Sequence, residues 1–197
     1  MNANPRQALV LENVHTGERI QLQRRPGARG EVLEMVGSIP AGRASMAVHE
    51  HRGEDLAVSV RSGTLSALVD DARVKVGPGQ SLTIARRTSY RFWNEGPEPL
   101  AYEAMVDPVV DMDLYLEALF QVINASPKDR PSLTYLAKVM LAHRRTQLVR
   151  LLSRPVQDPL FWGTVLVGTL TGRYRGGDWP GAPGRIGGAP TVTDGPV

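Results

Sequence analysis

The sequence predicts a mainly β domain, a sandwich or barrel of short strands, followed by about three α-helices. Apolar and polar residues alternate with period two through the first half of the chain, and turn signals such as T-G-E, G-P-G and N-E-G-P-E-P separate the runs. After Asp107-Pro108 the apolar residues recur at helical spacing instead. We therefore expect a β domain over residues 1–107 and a helical extension over residues 108–175.

The β domain divides into short runs of alternating residues, each bounded by Gly, Pro, Asn, Asp or Ser. Strands that follow one another every 8 to 12 residues or so are typical of closed or double-layered β structures. The predicted strands are Gln7–Val14, Arg19–Gln23, Glu31–Gly37, Ala44–His51, Leu56–Val60, Thr64–Val69, Val74–Val76, Ser81–Ala85, Tyr90–Asn94 and Leu100–Val106.

Two helices are predicted in the first part of the helical extension. Asp111 is a candidate N-cap for the first, in which apolar residues recur through 114–123. The second is expected over residues 131–151, where a broad apolar face runs up to Pro155 and Pro159. Proline interrupts helical hydrogen bonding, so these two residues are expected to break it.

A third, mostly buried helix is predicted over Leu160–Thr171. The residues that follow, 176–197, are rich in Gly and Pro, lack periodicity and are expected to form a disordered tail. Apolar helix faces have to be buried, either on the outer sheet of the barrel or against a second subunit. The helix faces alone leave both arrangements open, and the one that we expect is a homodimer.

Composition excludes several function classes. The 197 residues carry 23 Lys plus Arg against 20 Asp plus Glu, so a net charge of +3 gives no indication of nucleic-acid binding. With no cysteine there can be no disulfide framework, thiolate nucleophile or Cys-ligated metal. The N-terminus lacks the apolar region of a secretory signal, and the longest apolar stretch, Leu160–Leu170, is too short for a membrane span. A cytoplasmic protein is expected.

Two stretches of the β domain resemble the signatures of the cupins. The first is G-x-x-x-x-x-x-H-x-H from Gly42 to His51, followed by an apolar strand that ends at Gly63. The second runs from Val76 to Asn94. The helical extension is similar to that of single-domain bacterial cupins described as quercetin-dioxygenase-like. The resemblance implies a double-stranded β-helix, the jelly-roll barrel of the cupins.

The resemblance also implies a metal held by three histidines and one glutamate inside the barrel. His49 and His51 match the first two ligands by position, and residues i and i+2 of a strand face the same side. Leu56 occupies the glutamate place and Tyr90 the place of the third histidine. The metal site therefore looks degenerate.

No cofactor is accordingly expected, because Leu56 cannot ligate and a phenol with a pKa near 10 stays neutral at physiological pH. The alternative is a divalent Fe, Mn, Ni or Zn ion on His49, His51 and a nearby carboxylate, Glu54 or Asp55. The two histidines could also be hydrogen-bonded residues of a polar pocket with no chemical role.

The leading functional prediction is a small-molecule enzyme in which His49, His51 and Tyr90 perform acid/base catalysis on an apolar substrate. Cyclisation, isomerisation or dehydration of a polyketide-like natural product fits these groups. The alternatives are a metal-dependent dioxygenase and a non-catalytic ligand-binding module. The predicted pocket residues, among them an arginine in a mouth loop that could clamp an anionic group, are Leu56, Val58, Phe92, Glu34, Glu103 and Arg86.

Overall fold

The computed structural model describes residues 8–44, 47–127, 131–177 and 179–182. These residues contain eleven β-strands and three α-helices. The strands are β1 (Leu9–Glu12), β2 (Arg19–Gly27), β3 (Gly30–Ile39), β4 (His49–His51), β5 (Asp55–Ser62), β6 (Leu65–Val69), β7 (Ala72–Val76), β8 (Ser81–Ile84), β9 (Ser89–Trp93), β10 (Leu100–Asp107) and β11 (Gln147–Val149). The helices are α1 (Met112–Asn124), α2 (Leu133–His143) and α3 (Arg154–Leu170).

The strands form two antiparallel sheets. One has the order β1-β2-β3-β10-β5-β8 and the other the order β11-β4-β9-β6-β7. Alternate residues of each strand enter a common core, in which Leu33, Leu65, Leu100 and Val106 are fully buried. Helix α1 adds Tyr115 to the same core. The predicted jelly-roll barrel followed by helices is confirmed.

The two non-histidine residues of the signatures have structural roles. Gly63 lies between β5 and β6 with φ of +76°, and a Cβ atom there would come within 2.8 Å of the Pro99 carbonyl oxygen. Asn94 is buried, and its Nδ2 donates to the carbonyl oxygens of Ile39 (3.0 Å) and Glu98 (2.8 Å). These contacts tie loops of the barrel together, which explains why the signatures predict the fold.

The second helix is shorter than predicted. Helix α2 ends at His143, and residues expected at its end form β11, which pairs antiparallel with β4. An apolar run of this length is compatible with a helix or a buried strand, and its pairing with a distant strand decided the outcome. This correction matters because β4 carries both histidines.

The third helix is longer and more exposed than predicted. Helix α3 begins at Arg154, so Pro155 lies in its first turn, where proline is tolerated, and Pro159 lies inside the helix. Of its side chains, Gln157 and Phe161 are buried, whereas Trp162 and Leu166 are more than half exposed. The expectation of a mostly buried helix was wrong for the single chain.

Part of the predicted disordered tail forms defined structure. Residues Arg175–Gly177 form a short 3₁₀ helix, and Trp179 is buried with its ring stacked on Tyr135 at 6.0 Å between centroids. Residues 183–197 lie outside the described residues, as do residues 1–7 with the predicted strand start at Gln7. Within the described ranges no helix is both long and apolar enough to cross a bilayer.

Candidate active site

The candidate site lies on three adjacent strands of the five-stranded sheet. Strand β4 runs between β9 and β11, and His49 is paired with Tyr90 on one side and Val149 on the other. His51 is paired with Gln147 of β11. Directly paired residues share a face of a sheet, and so do residues two apart on one strand. The predicted catalytic residues are therefore brought together inside the barrel.

The three side chains contact one another. Tyr90 Oη lies 2.8 Å from His51 Nε2, and the rings of His49 and Tyr90 are 4.3 Å apart between centroids. His49 Nδ1 donates to the Ala47 carbonyl oxygen at 2.8 Å. Its Nε2 is buried and has no hydrogen-bond partner among the described residues, and the same is true of His51 Nδ1. A lone pair of His49 is therefore available to a ligand.

Burial keeps all three groups uncharged at neutral pH. Desolvation lowers the pKa of His49 to about 4, against the opposing hydrogen bond to Ala47. It lowers the pKa of His51 to about 3, and neighbouring His49 contributes in the same direction. Desolvation and then the charge of Glu54 raise the pKa of Tyr90 well above its ordinary value. The site thus presents two neutral imidazoles and a neutral phenol.

Glu54 is a buried carboxyl group behind this trio. Its Oε1 accepts from the backbone N–H of Val110 at 2.6 Å and of Asp111 at 3.3 Å, and its Oε2 accepts from Gln147 Nε2 at 2.5 Å. Oε2 also lies 4.0 Å from His51 Nδ1. Burial raises the pKa of Glu54 in spite of these hydrogen bonds. The residue connects β11 and the start of α1 to the histidine pair.

Two members of the trio, His49 and Tyr90, border an apolar cavity between the two sheets, and His51 does not line it. His49 and Tyr90 line it on one side, and Leu56 and Val58 line it opposite, with Phe92 also in the wall. The space in which a water molecule can be centred is about 40 Å³. The whole empty space, including the part that is open to solvent, is about 430 Å³. A few waters fit as it stands, and a larger ligand needs flexible lining side chains to move aside.

Three of the predicted pocket residues lie elsewhere. Glu34 and Glu103 are on the outer face of the six-stranded sheet, where they pair with Arg25 and Arg61. Strand alternation explains this placement, since Met35 and Ala104 next to them face the cavity. Arg86 is in the expected loop, but its guanidinium is held by Asp55 and it does not line the cavity.

The two carboxylates considered as replacement ligands, Asp55 and Glu54, also lie in different surroundings. Asp55 faces Arg86, whose hydrogen bonds lower the pKa of Asp55 to about 2. Glu54 is buried, but its carboxyl oxygens already accept hydrogen bonds from the backbone N–H of Val110 and the side-chain amide of Gln147. In the described part of the chain no group of three or more His, Cys, Asp or Glu residues could hold a metal ion. With Leu56 and a neutral Tyr90 in the other ligand places, these residues do not fit a cupin metal.

Several residues that line the cavity were not predicted from the sequence. Tyr102 and Met35 face the cavity from β10 and β3, and Met112 and Leu116 close it from α1. Parity along β3 and β10 could have identified the first two, because Glu34 and Glu103 alternate with them. The contribution of α1 depends on helix packing, and no local pattern indicates it.

The sequence comparisons agree with this architecture. Residues 35–107 match the family model described as "Cupin domain", which spans β3 to β10 and includes His49, His51 and Tyr90. No match was found among curated proteins.

Three solved structures illustrate how distant the structural likenesses are. A sugar phosphate isomerase described from Acidithiobacillus ferrooxidans shares 20% identity over 45% of this chain and 60% of its own, with a TM-score of 0.38. KdgF from Halomonas shares 15% over 52% and 89%, with a TM-score of 0.43. Hydroxypropylphosphonic acid epoxidase from S. wedmorenis shares 13% over 53% and 58%, also at 0.43.

None of the three indicates a reaction for this chain, and the chain spans about 60% of the isomerase that it matches. The family match and the two facing sheets agree on architecture: residues 35–107 form a cupin domain, and the fold of the chain is the cupin fold.

Proposed function

We propose that the chain is a small-molecule enzyme that moves protons in the barrel cavity by metal-independent acid/base chemistry. The observation that carries this proposal is the Nε2 of His49, which has no partner among the described residues and lies at the wall of an apolar cavity. Tyr90 lines the same cavity and is hydrogen-bonded to His51. An apolar pocket with a few convergent polar groups is the usual form of a small-molecule site. Isomerisation, cyclisation or dehydration are the reactions that such groups can perform.

His49 is the base in this mechanism. Because its Nδ1–H is held by the Ala47 carbonyl oxygen, the neutral ring carries its lone pair on Nε2. Its lowered pKa keeps that lone pair free at neutral pH. A substrate that becomes anionic beside the ring would stabilise the imidazolium and raise its pKa as the proton transfers.

The tautomer of His51 decides what Tyr90 does. With the proton on Nδ1, which lies 4.0 Å from Glu54 Oε2, His51 Nε2 accepts from the tyrosine hydroxyl. The phenolic oxygen can then accept a hydrogen bond from a substrate hydroxyl. With the proton on Nε2, His51 donates to Tyr90, and the phenol can donate to a substrate carbonyl oxygen. Tyr90, through its hydrogen bond with His51, can thus accept a hydrogen bond from a substrate hydroxyl or donate one to a substrate carbonyl oxygen.

In an isomerisation, His49 Nε2 takes a proton from the carbon next to a carbonyl group and returns it to another atom of the same molecule. Tyr90 holds the oxygen on which negative charge develops in between. In a dehydration, the proton held by His49 leaves with the substrate hydroxyl as water. The apolar wall keeps bulk water away from these steps.

A deuterium-exchange assay tests the proposal without knowledge of the natural substrate. Compact cyclic ketones such as cyclohexanone and 2-tetralone would be incubated with protein in D₂O, and incorporation next to the carbonyl group followed by NMR. Wild type should accelerate exchange. His49→Gln should slow it by about 100-fold or more, and Tyr90→Phe should also slow it, because general-base and electrophilic groups are typically worth that much.

His15→Gln, a histidine remote from the site, is the matched control and should exchange at the wild-type rate. Exchange that is equally fast in His49→Gln and wild type would refute the base. Metal analysis tests the alternative dioxygenase: stoichiometric Fe, Mn, Ni or Zn that is lost in the His49→Ala/His51→Ala variant would overturn the metal-independent proposal.

We also propose a homodimer. Helix α3 supports it, because its outward side is apolar and uncovered in the single chain. The natural-product substrate and the cytoplasmic location predicted from the sequence stay predictions.

A further inference from the structure

A second cavity reaches the base from the helical side of the barrel. This apolar crevice lies between α1, α2 and the edge of the sheet that β4 and β11 form. Its volume is about 180 Å³. Its walls are lined mainly by aliphatic and aromatic side chains and include His49. Among the lining residues are His49, Leu136, Met140 and Leu151.

His49 is common to the crevice and the barrel cavity. It is buried, whereas Leu151 at the other side of the crevice is 44% exposed. The crevice therefore extends from the surface of the helical extension to the histidine whose Nε2 has no partner among the described residues. A ligand in the crevice would therefore contact His49, the proposed base.

The size and lining of the crevice indicate what it could hold. An engineered apolar cavity of about 150 Å³ in another protein stays dry and binds benzene. The crevice is similar in volume and lining, but it is open to the surface at Leu151. Its empty space is therefore suited to an aromatic ring or a short alkyl chain.

Charge restricts the ligand further. Among the residues that the structure describes, neither the crevice nor the barrel cavity is lined by Lys, Arg, Asp or Glu. Burying an unpaired ionised group costs several kcal/mol or more. A phosphorylated or carboxylated ligand would lack a partner in either space.

We propose that the crevice binds the uncharged aromatic or alkyl end of the substrate and directs its oxygen-bearing end past His49 into the barrel cavity. This inference rests on the proposed function for the role of His49 but not for the binding itself. It names the substrate class as a compact, uncharged molecule with an apolar end and a carbonyl or hydroxyl group.

Ligand-observed and methyl NMR titration with benzyl alcohol tests the crevice directly. Benzyl alcohol should bind and shift the signals of the Met140 methyl group and the His49 ring. Filling the crevice by Met140→Trp or Leu136→Trp should weaken binding by about tenfold or more. Leu133→Trp, on the exposed start of the same helix and outside the crevice, should bind as wild type does.

Benzyl phosphate is the charged counterpart and should bind at least about tenfold more weakly than benzyl alcohol. Equal affinity for the two, or unchanged affinity in both folded filling variants, would overturn the inference. Thermal unfolding of each variant separates a filled crevice from a misfolded chain. Binding as expected without deuterium exchange would refute the proposed function alone, and exchange without binding would refute the crevice alone.

Discussion

At the scale of single residues, His49 and His51 owe their properties to the space that surrounds them. Both imidazoles are buried, and each uses one nitrogen in a short hydrogen bond and leaves the other unpaired among the described residues. A surface histidine would satisfy both nitrogens with water and keep a pKa near 6.5. Here desolvation by burial favours the neutral form, which is the form a base requires.

The two histidines should make the fold less stable as pH falls below about 6.5. The unfolded chain binds a proton on each from that pH downward, whereas the folded chain does so only near pH 4 for His49 and pH 3 for His51. The free energy of unfolding should fall by up to about 1.4 kcal/mol per pH unit for each. Above pH 6.5 neither contributes to the pH dependence.

Urea unfolding from pH 7.5 to 4.5 measures this effect. The raised pKa of Glu54 acts in the opposite direction, so the informative quantity is the difference between wild type and His49→Gln. Wild type should lose stability relative to the variant as pH falls. A difference that stays constant across this range would contradict a neutral buried His49.

At the scale of secondary-structure elements, β11 links the helical extension to β4, the strand that carries both histidines. It pairs with β4 in the register Gln147–His51 and Val149–His49. Gln147 Nε2 reaches Glu54, and Glu54 in turn holds the backbone of Val110 at the start of α1. The extension therefore completes the wall of the site.

Replacement of Gln147 should measure this link. Gln147→Leu removes the donor to a buried carboxylate oxygen and should lower the free energy of unfolding by about 1–3 kcal/mol, the usual cost of an unpaired buried acceptor. Chemical unfolding of both proteins gives the value.

The matched control for this link is Arg150→Leu, next to β11. Arg150 is half exposed, and its buried partner Glu50 also lies 3.6 Å from Arg52, so the loss of Arg150 should cost only about 1 kcal/mol. If the two variants are equally stable, the hydrogen bond between Gln147 and Glu54 contributes no more than this ion pair.

At the scale of the whole molecule, α3 is the element that the single chain leaves uncovered. Its buried side is narrow and includes Gln157 and Phe161, and the opposite side is apolar over most of its length. A helix that is apolar nearly all round is normally covered by other protein. The exposed residues of this outer face, with 43 to 73% of each accessible, are Val156, Leu160, Trp162, Leu166, Val167 and Leu170.

The proposed homodimer should depend on this outer face. Light scattering after size exclusion should give twice the mass of the 21.5 kDa chain for wild type and the single mass for Leu166→Asp/Val167→Asp. The reason is that two carboxylates would be buried without partners at a closed interface. Thr169→Asp, at the polar edge of the same helix, should remain dimeric. A wild-type monomer at micromolar concentration would refute the dimer.

Local patterns were enough for much of this molecule. Period-two alternation and turn residues placed the strands of the barrel, because a strand that buries one face must alternate wherever it pairs. The same rule placed His49 and His51 on one face, and the two signatures located Tyr90 beside them. The division into a β domain and a helical extension stays a prediction.

Tertiary structure decided what local patterns leave open. Residues Gln147–Val149 are compatible with a helix, and their pairing with β4 made them a strand. Glu34, Glu54, Glu103 and Asp55 look alike in sequence, but sheet geometry sent one inward and the others to Arg25, Arg61 and Arg86. The sequence alone determined a β structure of short strands and placed His49 and His51 on one face, since both depend on periodicity. The choice of a jelly-roll barrel came from the resemblance to the cupins. Three features depend on groups that are distant in sequence: the neutral state of the two histidines, the hydrogen bond to Tyr90 and the crevice. These groups come together and exclude water only in the folded chain.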